Sequence, residues 1–246
     1  MLKFSNVGYQ AGGRHILRGL TFELAEGQTL VLLGRSGSGK TTALKMVNAL
    51  ILPSTGEVLV EGRATTSWDP IALRRRVGYV IQETGLFPHF TVAENVAVVP
   101  RLSGWPPQRI EDRVNELLER VGLPPSEFAR RYPRQLSGGQ RQRVGVARAL
   151  AADPPILLFD EPFGALDPIT RHEARRAFKT LARGLGKTAL FVTHDVREAI
   201  ELGDQIGLLS EGSLAELMPA AAFARARSAE ARAFLAVLEE EPQADR

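Results

Sequence analysis

The chain alternates between short runs that are apolar at nearly every position and longer stretches in which apolar residues recur at helical spacing. Uninterrupted apolar runs are typical of strands that are covered on both faces in a mostly parallel sheet. The strand-like runs are "LKFSNVGY" at 2–9, then residues 29–33, 57–60, 77–81, 156–159, 188–193 and 205–210. The pattern therefore predicts an α/β fold built around a mostly parallel sheet.

The middle of the chain has a different pattern. Apolar residues fall on one side of a predicted helix, and charged residues fall on the other. The apolar positions are Ile110, Val114, Leu117, Leu118 and Val121. We interpret residues 87–152 as a helical subdomain inserted into a core that consists of residues 1–86 and 153–246.

Composition narrows the classes of protein that fit. The 246 residues are 44% hydrophobic, enough for one large α/β core or two smaller ones. No apolar run approaches the ~20 residues of a membrane span, and the N-terminus lacks a signal-peptide pattern, so we expect a cytosolic chain. The absence of cysteine excludes disulfides and thiolate metal sites. A net charge of +3 is too balanced to indicate a nucleic acid partner.

The segment "GRSGSGKT", residues 34–41, matches the P-loop pattern and stands between a predicted strand and a predicted helix. Its glycines allow backbone N–H groups to surround phosphate, Lys40 supplies a positive charge at the β/γ-phosphates, and the Thr41 hydroxyl can bind Mg²⁺. The predicted nucleotide-binding residues here are Gly34, Ser36, Gly37, Ser38, Gly39, Lys40, Thr41 and Thr42. A glycine-rich turn with a chance Lys-Thr pair is the alternative.

Four polar residues follow predicted strands. Asp160 and Glu161 end "ILLFDEP", Gln82 ends "VGYVI", and His194 ends "TALFVT". Ligands of open α/β sheets bind at the carboxyl ends of strands. We assign Asp160, with Thr41, as a magnesium ligand, Glu161 as the catalytic base that activates water, and His194 as a catalytic residue that forms a hydrogen bond to a γ-phosphate. Gln82 is assigned both as a magnesium ligand and as a catalytic residue, because its amide oxygen can reach either Mg²⁺ or the attacking water. Each has a structural alternative: a capping carboxylate, a solvated glutamine or a structural histidine.

A glycine pair precedes the amphipathic helix at "LSGGQRQRVGVARAL", residues 136–150. Ser137 alone suffices as a cap, whereas two glycines leave the backbone N–H groups bare at the mouth of a helix. This arrangement indicates that an anion approaches the backbone closely.

Together these motifs resemble the ATP-binding subunit of ABC transporters, over nearly the whole chain. The resemblance implies one ATP-binding domain, 1–246, with a P-loop NTPase core, an antiparallel N-terminal β region and a helical subdomain. It implies that Ser137, Gly138, Gly139 and Gln140 face an ATP held by the P-loop of a second copy. It also implies that Tyr9 stacks on adenine, that Asp167 in "GALD" communicates across the dimer, and that His194 is the switch histidine.

The segments "QETGLFPHFTVAENVAVVPRLSGW" and "RYPRQLSGGQRQRVGVARALAADPPILLFDEPFGALDPITR" are similar to those of importers of quaternary-amine osmoprotectants such as glycine betaine, choline and carnitine. This similarity implies an ATPase that uses Mg²⁺, forms a head-to-tail homodimer, and works with integral-membrane permease subunits and a solute-binding protein. It places the chain on the cytoplasmic face of the cell membrane. The resemblance also implies that the groove beside Phe87 and Phe90 receives a cytoplasmic helix of the permease. The alternative for these side chains is simple packing of the helical insertion on the core.

Two other functions fit the sequence less well. A soluble ABC ATPase acting on nucleic acid or ribosomes predicts a coiled-coil insertion or a second cassette, and neither pattern occurs in the sequence. A small-molecule P-loop kinase has no use for "LSGGQ" or for Glu161 beside Asp160. An ABC importer for another solute stays open.

Overall fold

The computed structural model describes residues 1–82, 85–164, 166–172, 174–175 and 186–240. The chain divides into two compact units. The first unit combines Met1–Pro70 with Thr188–Arg246, and the second unit is the continuous stretch Ile71–Lys187.

Strands and helices alternate along most of the chain. The strands are β1 (Leu2–Ala11), β2 (Arg14–Leu24), β3 (Thr29–Leu33), β4 (Thr55–Val60), β5 (Arg63–Ala64), β6 (Val77–Val80), β7 (Ile156–Asp160), β8 (Thr188–Thr193), β9 (Gln205–Ser210) and β10 (Ser213–Pro219). The helices are α1 (Lys40–Val47), α2 (Pro70–Arg75), α3 (Val92–Leu102), α4 (Pro107–Arg120), α5 (Pro125–Phe128), α6 (Gly138–Leu150), α7 (Val196–Leu202) and α8 (Ala229–Glu240). Residues 168–172 and 174–175 are also helical.

The first unit contains an antiparallel sheet in the order β2-β1-β4-β5. Alternate residues of β1 and β2 face its core, as expected for a sheet with one covered face. Phe4 and Phe22 stack there with their ring centroids 4.4 Å apart. This sheet is the antiparallel N-terminal region that the sequence indicated.

The first unit also contains parallel strands. β3 pairs in parallel with β8 on one side and with β9 on the other, and β10 extends β9 in the antiparallel direction. All of β8 and nearly all of β3 are buried, as uninterrupted apolar runs predict. Leu33 lies opposite Thr193, so the carboxyl ends of β3 and β8 are side by side.

The second unit places helices around a parallel pair of strands, β6 and β7, with Val80 opposite Phe159. Gly78 of β6 lies under α6, because a Cβ there would come within 2.4 Å of the Ala149 carbonyl oxygen. Helix α4 buries the predicted apolar stripe, Ile110, Val114, Leu117 and Leu118. A capping box begins α3, in which Thr91 and Glu94 exchange hydrogen bonds.

The predicted α/β class, the antiparallel N-terminal region and the parallel strands are confirmed. The sequence patterns missed β2, β5 and β10. The division into 1–86, 87–152 and 153–246 stays a prediction, and its ranges include Glu83, Thr84 and other positions outside the described residues. Within the described part of the chain, no helix combines the length and apolar character needed to cross a membrane.

Candidate functional site

The glycine-rich loop between β3 and α1 contains three glycines, and the structure gives a different reason for the absence of a side chain at each of them. A Cβ on Gly34 would lie 2.3 Å from the Leu209 carbonyl oxygen, so this position must be glycine for close packing. Gly39 has φ of 101°, and a Cβ there would meet the Ile16 carbonyl oxygen at 2.9 Å. Gly37 has φ of 83° but no atom within 4 Å of an added Cβ. The loop is therefore packed at both ends and open at its middle.

Lys40 is folded back over this loop. Its side chain is 4% exposed, and Nζ donates hydrogen bonds to the carbonyl oxygens of Gly34 at 2.7 Å and Arg35 at 3.0 Å. Ser38 is also buried, and its Oγ has no hydrogen-bond partner among the described residues. A buried hydroxyl without a partner costs about 1–3 kcal/mol. A cation and an unpartnered hydroxyl in a glycine-rich loop fit an anion, as the P-loop pattern predicted. Thr41 and Thr42 follow, half-buried, in the first turn of α1.

His194 stands beside the same loop and is exposed. The Gly34 amide donates to the Thr193 carbonyl oxygen at 3.3 Å, which joins the end of β3 to the turn after β8. The Thr193 hydroxyl donates to Glu198 at 2.6 Å and accepts from the Asp195 amide at 3.0 Å. These contacts fix the turn that carries His194 next to the loop.

Tyr9 lies near the end of β1, half-buried, and pairs with Leu17 of β2. The Leu17 side chain reaches the loop, because its Cδ2 would be 2.7 Å from a Cβ on Gly39. The first unit thus brings Tyr9, Lys40 and His194 into one neighbourhood. The role of Tyr9 in binding adenine stays a prediction.

In the second unit, Asp160 ends β7 and is 5% exposed. The Tyr79 hydroxyl of β6 donates to Asp160 Oδ2 at 3.0 Å. Burial, and then the negative charge of Asp160, raise the pKa of Tyr79 well above its usual value of 10.0. A phenol is protonated at physiological pH even at its usual pKa, so the hydroxyl donates this hydrogen bond there.

Glu161 follows with φ of 43°, in the left-handed region that residues other than glycine rarely adopt. Such a conformation costs on the order of 1 kcal/mol and is common at functional sites. The Gly164 amide donates to the Glu161 carbonyl oxygen at 3.2 Å and closes the turn. Glu161 is half-buried, at the edge of the sheet that the sequence predicted for it.

Gln82 is exposed, two residues beyond the end of β6. Because β6 and β7 are parallel neighbours, Gln82, Asp160 and Glu161 lie at the same edge of their strand pair. No cluster of three or more histidine, aspartate or glutamate side chains suited to a metal occurs among the described residues. The predicted magnesium ligands, Thr41, Gln82 and Asp160, offer hydroxyl, amide and carboxylate oxygens, the hard donors that Mg²⁺ prefers.

The "LSGGQ" segment begins α6 with a capping box. The Ser137 hydroxyl accepts from the Gln140 amide at 3.2 Å, and Gln140 Oε1 accepts from the Ser137 amide at 2.9 Å. Gln140 was predicted only to bind nucleotide, yet Ser-x-x-Gln is itself the sequence signal of a capping box. A Cβ on buried Gly139 would lie 2.5 Å from Thr170 Cγ2. Gly139 therefore has a packing reason as well, whereas a Cβ on half-buried Gly138 would lie 3.4 Å from Leu166 Cδ2 and 4.0 Å from an Arg141 guanidinium nitrogen, which is ordinary contact.

Asp167 lies close to this segment. Its carboxylate accepts from the Thr170 amide at 3.0 Å and caps the helical residues that start at 168. The hydrogen bonds with Thr170 lower the pKa of Asp167 below its usual 3.8. Since Thr170 also contacts Gly139, the second unit brings Asp167 and "LSGGQ" together. Ala165 of "GALD" lies outside the described residues.

A groove of about 340 Å³ opens on the second unit. Its lining is mainly apolar and includes Val77, Tyr79, Phe87, Val98, Val99 and Ala149. Arg75 and Arg148 also line it, and they donate to the carbonyl oxygens of Leu102 and Gly85 at 2.7 Å each. Phe87 was predicted to lie at this groove, but the two arginines and Tyr79 were not, because contacts between distant segments create this surface.

Buried Asn95 of α3 shapes the rim of this groove. Its Oδ1 accepts from the Phe87 amide at 2.8 Å, and its Nδ2 lies 3.2 Å from the carbonyl oxygens of Phe87 and Phe90. Phe87 is 41% exposed, whereas Phe90 is half-buried and Val92 is buried. Of the apolar residues after Gln82, Phe87 is thus the more accessible for a partner.

Comparison with known proteins places this geometry in a family. A family model described as "ABC transporter" matches residues 17–164. The glycine betaine/carnitine/choline transport ATP-binding protein of Bacillus subtilis is 48% identical over 218 residues, 88% of this chain and 57% of that protein. The glycine betaine uptake system ATP-binding protein of Escherichia coli is 48% identical over 216 residues, 88% of this chain and 70% of that protein. The chain thus spans little more than half the length of the Bacillus subtilis relative.

A solved structure shows the same fold. It is a dimeric ATP-binding cassette in a post-hydrolysis state bound to ADP and Pi, with 35% identity and a TM-score of 0.78 over 89% of this chain and 99% of that one. The family model covers more than half of this chain, and both relatives are 48% identical to it over 88% of its residues. Identity of that extent is enough to establish membership of a family. The chain therefore belongs to the ABC transporter family.

Proposed function

We propose that this chain is the ATP-hydrolysing, nucleotide-binding subunit of an ABC importer. The observation that carries the proposal is the glycine-rich loop in which Lys40 is buried and the Ser38 hydroxyl lacks a partner among the described residues. A loop of this kind accepts the terminal phosphates of a nucleoside triphosphate. The relatives are named as transport or uptake-system ATP-binding proteins, and the dimeric structure holds ADP and Pi.

Each predicted site residue has its own role in the transfer of the γ-phosphoryl group to water. Lys40, Ser38 and the loop amides hold the β- and γ-phosphates, while Thr41, Gln82 and Asp160 would hold Mg²⁺. When bound, Mg²⁺ offsets negative charge on the phosphate oxygens. Glu161 accepts a proton from the water that attacks the γ-phosphorus, and the bond to the β-phosphate oxygen breaks to leave ADP and phosphate. His194 donates a hydrogen bond to the γ-phosphate oxygens.

A second copy of the chain completes the nucleotide site. In the proposed head-to-tail dimer, the start of α6 faces the γ-phosphate bound by the partner. Ser137 and Gln140 cap each other in this structure, so the amides of Gly138 and Gly139, at the positive end of the helix dipole, are the groups offered to the anion. Tyr9 stacks on adenine, and Asp167 lies beside this face.

The groove on the second unit is proposed to receive a cytoplasmic segment of the permease. Its apolar lining suits the apolar face of a short helix, and Arg75 and Arg148 add positive charge for an acidic residue. A subunit docked there is peripheral, on the cytoplasmic face of the cell membrane. We also propose that a solute-binding protein delivers the solute to the assembled importer, and that the subunit has no nucleic acid partner.

Quaternary amines such as glycine betaine, choline and carnitine are the proposed solutes. The names of the relatives at 48% identity support this class. Other members of the family carry other solutes, so an importer of a different solute is the alternative.

Two substitutions test the chemistry. Glu161→Gln removes the base and is expected to lower turnover about 10²-fold or more, while ATP affinity changes little. Lys40→Ala removes the charge at the phosphates and is expected to weaken nucleotide binding itself. Steady-state ATPase rates and nucleotide binding by calorimetry separate the two effects. Near-normal turnover in Glu161→Gln would contradict the assignment of the base.

Uptake tests the importer. Radiolabelled glycine betaine, choline and carnitine are offered to cells that lack other osmoprotectant importers and produce this subunit together with its permease and solute-binding protein. We expect uptake with the natural chain and none with Glu161→Gln. ATP hydrolysis without uptake of any of the three amines would retain the ATPase and exclude this solute class.

A further inference from the structure

Tyr79 lines the apolar groove and also contacts the carboxylate at the end of β7. Its hydroxyl donates to Asp160 Oδ2 at 3.0 Å, and the residue lines the apolar groove with Phe87, Val98 and Val99. Tyr79 and Asp160 stand on neighbouring parallel strands, with Tyr79 opposite Leu158, two positions before Asp160. One half-buried phenol thus reaches from the surface of the groove to the carboxylate at the strand end.

The geometry of this contact gives the hydroxyl a specific effect. A carboxylate rotates about its bond to the chain unless its oxygens are held, and a hydrogen bond to a charged acceptor is stronger than one between neutral groups. Asp160 is 5% exposed, so bulk water contributes little to its orientation.

We propose that Tyr79 is a positioning residue that orients the Asp160 carboxylate for Mg²⁺ and links that carboxylate to the groove. The inference rests on the proposed function, because the metal role of Asp160 belongs to it. A segment seated in the groove contacts the ring of Tyr79, and the hydroxyl on the same ring holds the metal ligand. Displacement of the ring therefore alters the orientation of Asp160.

Tyr79→Phe isolates the hydroxyl, since the ring and its packing stay. Binding of Mn²⁺ to the full chain saturated with a non-hydrolysable ATP analogue is followed by electron paramagnetic resonance. We expect Mn²⁺ affinity to fall about tenfold in Tyr79→Phe, the effect of losing one hydrogen bond to a charged group. Affinity for the nucleotide in EDTA is expected to stay within twofold.

Tyr132→Phe is the matched control, because it removes a phenolic hydroxyl from a side chain that is 38% exposed and is outside the proposed site. Asp160→Asn reports the metal role itself. If Asp160→Asn weakens Mn²⁺ binding and Tyr79→Phe does not, the positioning role is wrong and the proposed function stands. If neither substitution changes Mn²⁺ affinity, both the inference and the assigned metal ligand are wrong.

The link to the groove is measured in the assembled importer. Binding of the permease is expected to change the Mn²⁺ affinity of the natural subunit. In Tyr79→Phe this change should be mostly absent, although the variant should still co-purify with the permease. An equal change in both, or no change in the natural subunit, would overturn the link.

Discussion

Two explanations of Gly139 can be separated by one added methyl group. The first explanation is packing, because a Cβ at this position would lie 2.5 Å from Thr170 Cγ2. The second is the close approach of a nucleotide held by a partner subunit. Gly139→Ala tests packing when it is made both in the natural chain and in Thr170→Ser, which removes Cγ2 but keeps the hydroxyl beside Asp167.

The structure sets the magnitude. Overpacking of this kind costs about 1–3 kcal/mol, and alanine in place of glycine in a helix returns about 0.5–1 kcal/mol. Gly139→Ala should therefore destabilise the natural chain by about 0–2.5 kcal/mol. In the Thr170→Ser chain the overlap is absent, so the same substitution should stabilise by up to about 1 kcal/mol. The coupling energy between the two positions is then about 1–3 kcal/mol.

Urea unfolding of the four chains gives this coupling energy directly, with Thr170→Ser alone as the control. A coupling energy below about 0.5 kcal/mol would refute the packing explanation. ATPase turnover then addresses the second explanation. If the double variant is as stable as the natural chain but inactive, the glycine is also needed for nucleotide. Recovery of both properties would assign Gly139 to packing alone.

Two further predictions concern α3 and the groove. The backbone amide of Thr91, and then its hydroxyl, donate hydrogen bonds to the Glu94 carboxylate and lower the pKa of Glu94 below its usual 4.5. The charged carboxylate therefore stabilises the folded chain fully above about pH 4.5, and this stabilisation is lost as the pH falls through the lower pKa of the folded state. Urea unfolding from pH 6 to pH 3 should show a smaller loss of stability in Glu94→Gln, and equal slopes would contradict it. Phe87→Asp should leave the ATPase of the isolated subunit near normal yet prevent co-purification with the permease, whereas Val237→Asp, at a side chain that is 53% exposed, should not. Intact assembly of Phe87→Asp would remove the groove as the docking site.

The strands around the site were predictable because burial on both faces leaves an unmistakable pattern. β3, β7 and β8 are apolar at nearly every position, and the residues that follow them carry the candidate chemistry. Strand β2 was missed because exposed polar residues interrupt its apolar pattern. Its antiparallel pairing with β1 holds it as a strand, and this pairing is not visible in the sequence of β2 alone. Strand β10 has a half-exposed pattern for the same reason.

The supporting contacts of the site were less predictable than its motifs. Tyr79 was interpreted only as part of a strand, since its partner Asp160 is 81 positions away in the chain. Asn95 was not singled out from the sequence, yet its side chain holds the backbone at Phe87. Gln140 was assigned to nucleotide, although a local capping rule already explained it. Local rules identify the groups that carry chemistry, whereas tertiary contacts determine what orients them.

The discontinuity of the first unit has a consequence for how the protein is made. β3 ends at Leu33 and its neighbour β8 begins at Thr188, roughly 150 positions later, a stretch that a ribosome completes in about 10–30 seconds. During that time β1, β2 and β4 can already pair, and the continuous second unit can assemble. The apolar strand β3 has neither of its parallel partners until the last quarter of the chain emerges. Nascent chains of this subunit should therefore depend on chaperones until β8 and β9 have been synthesised.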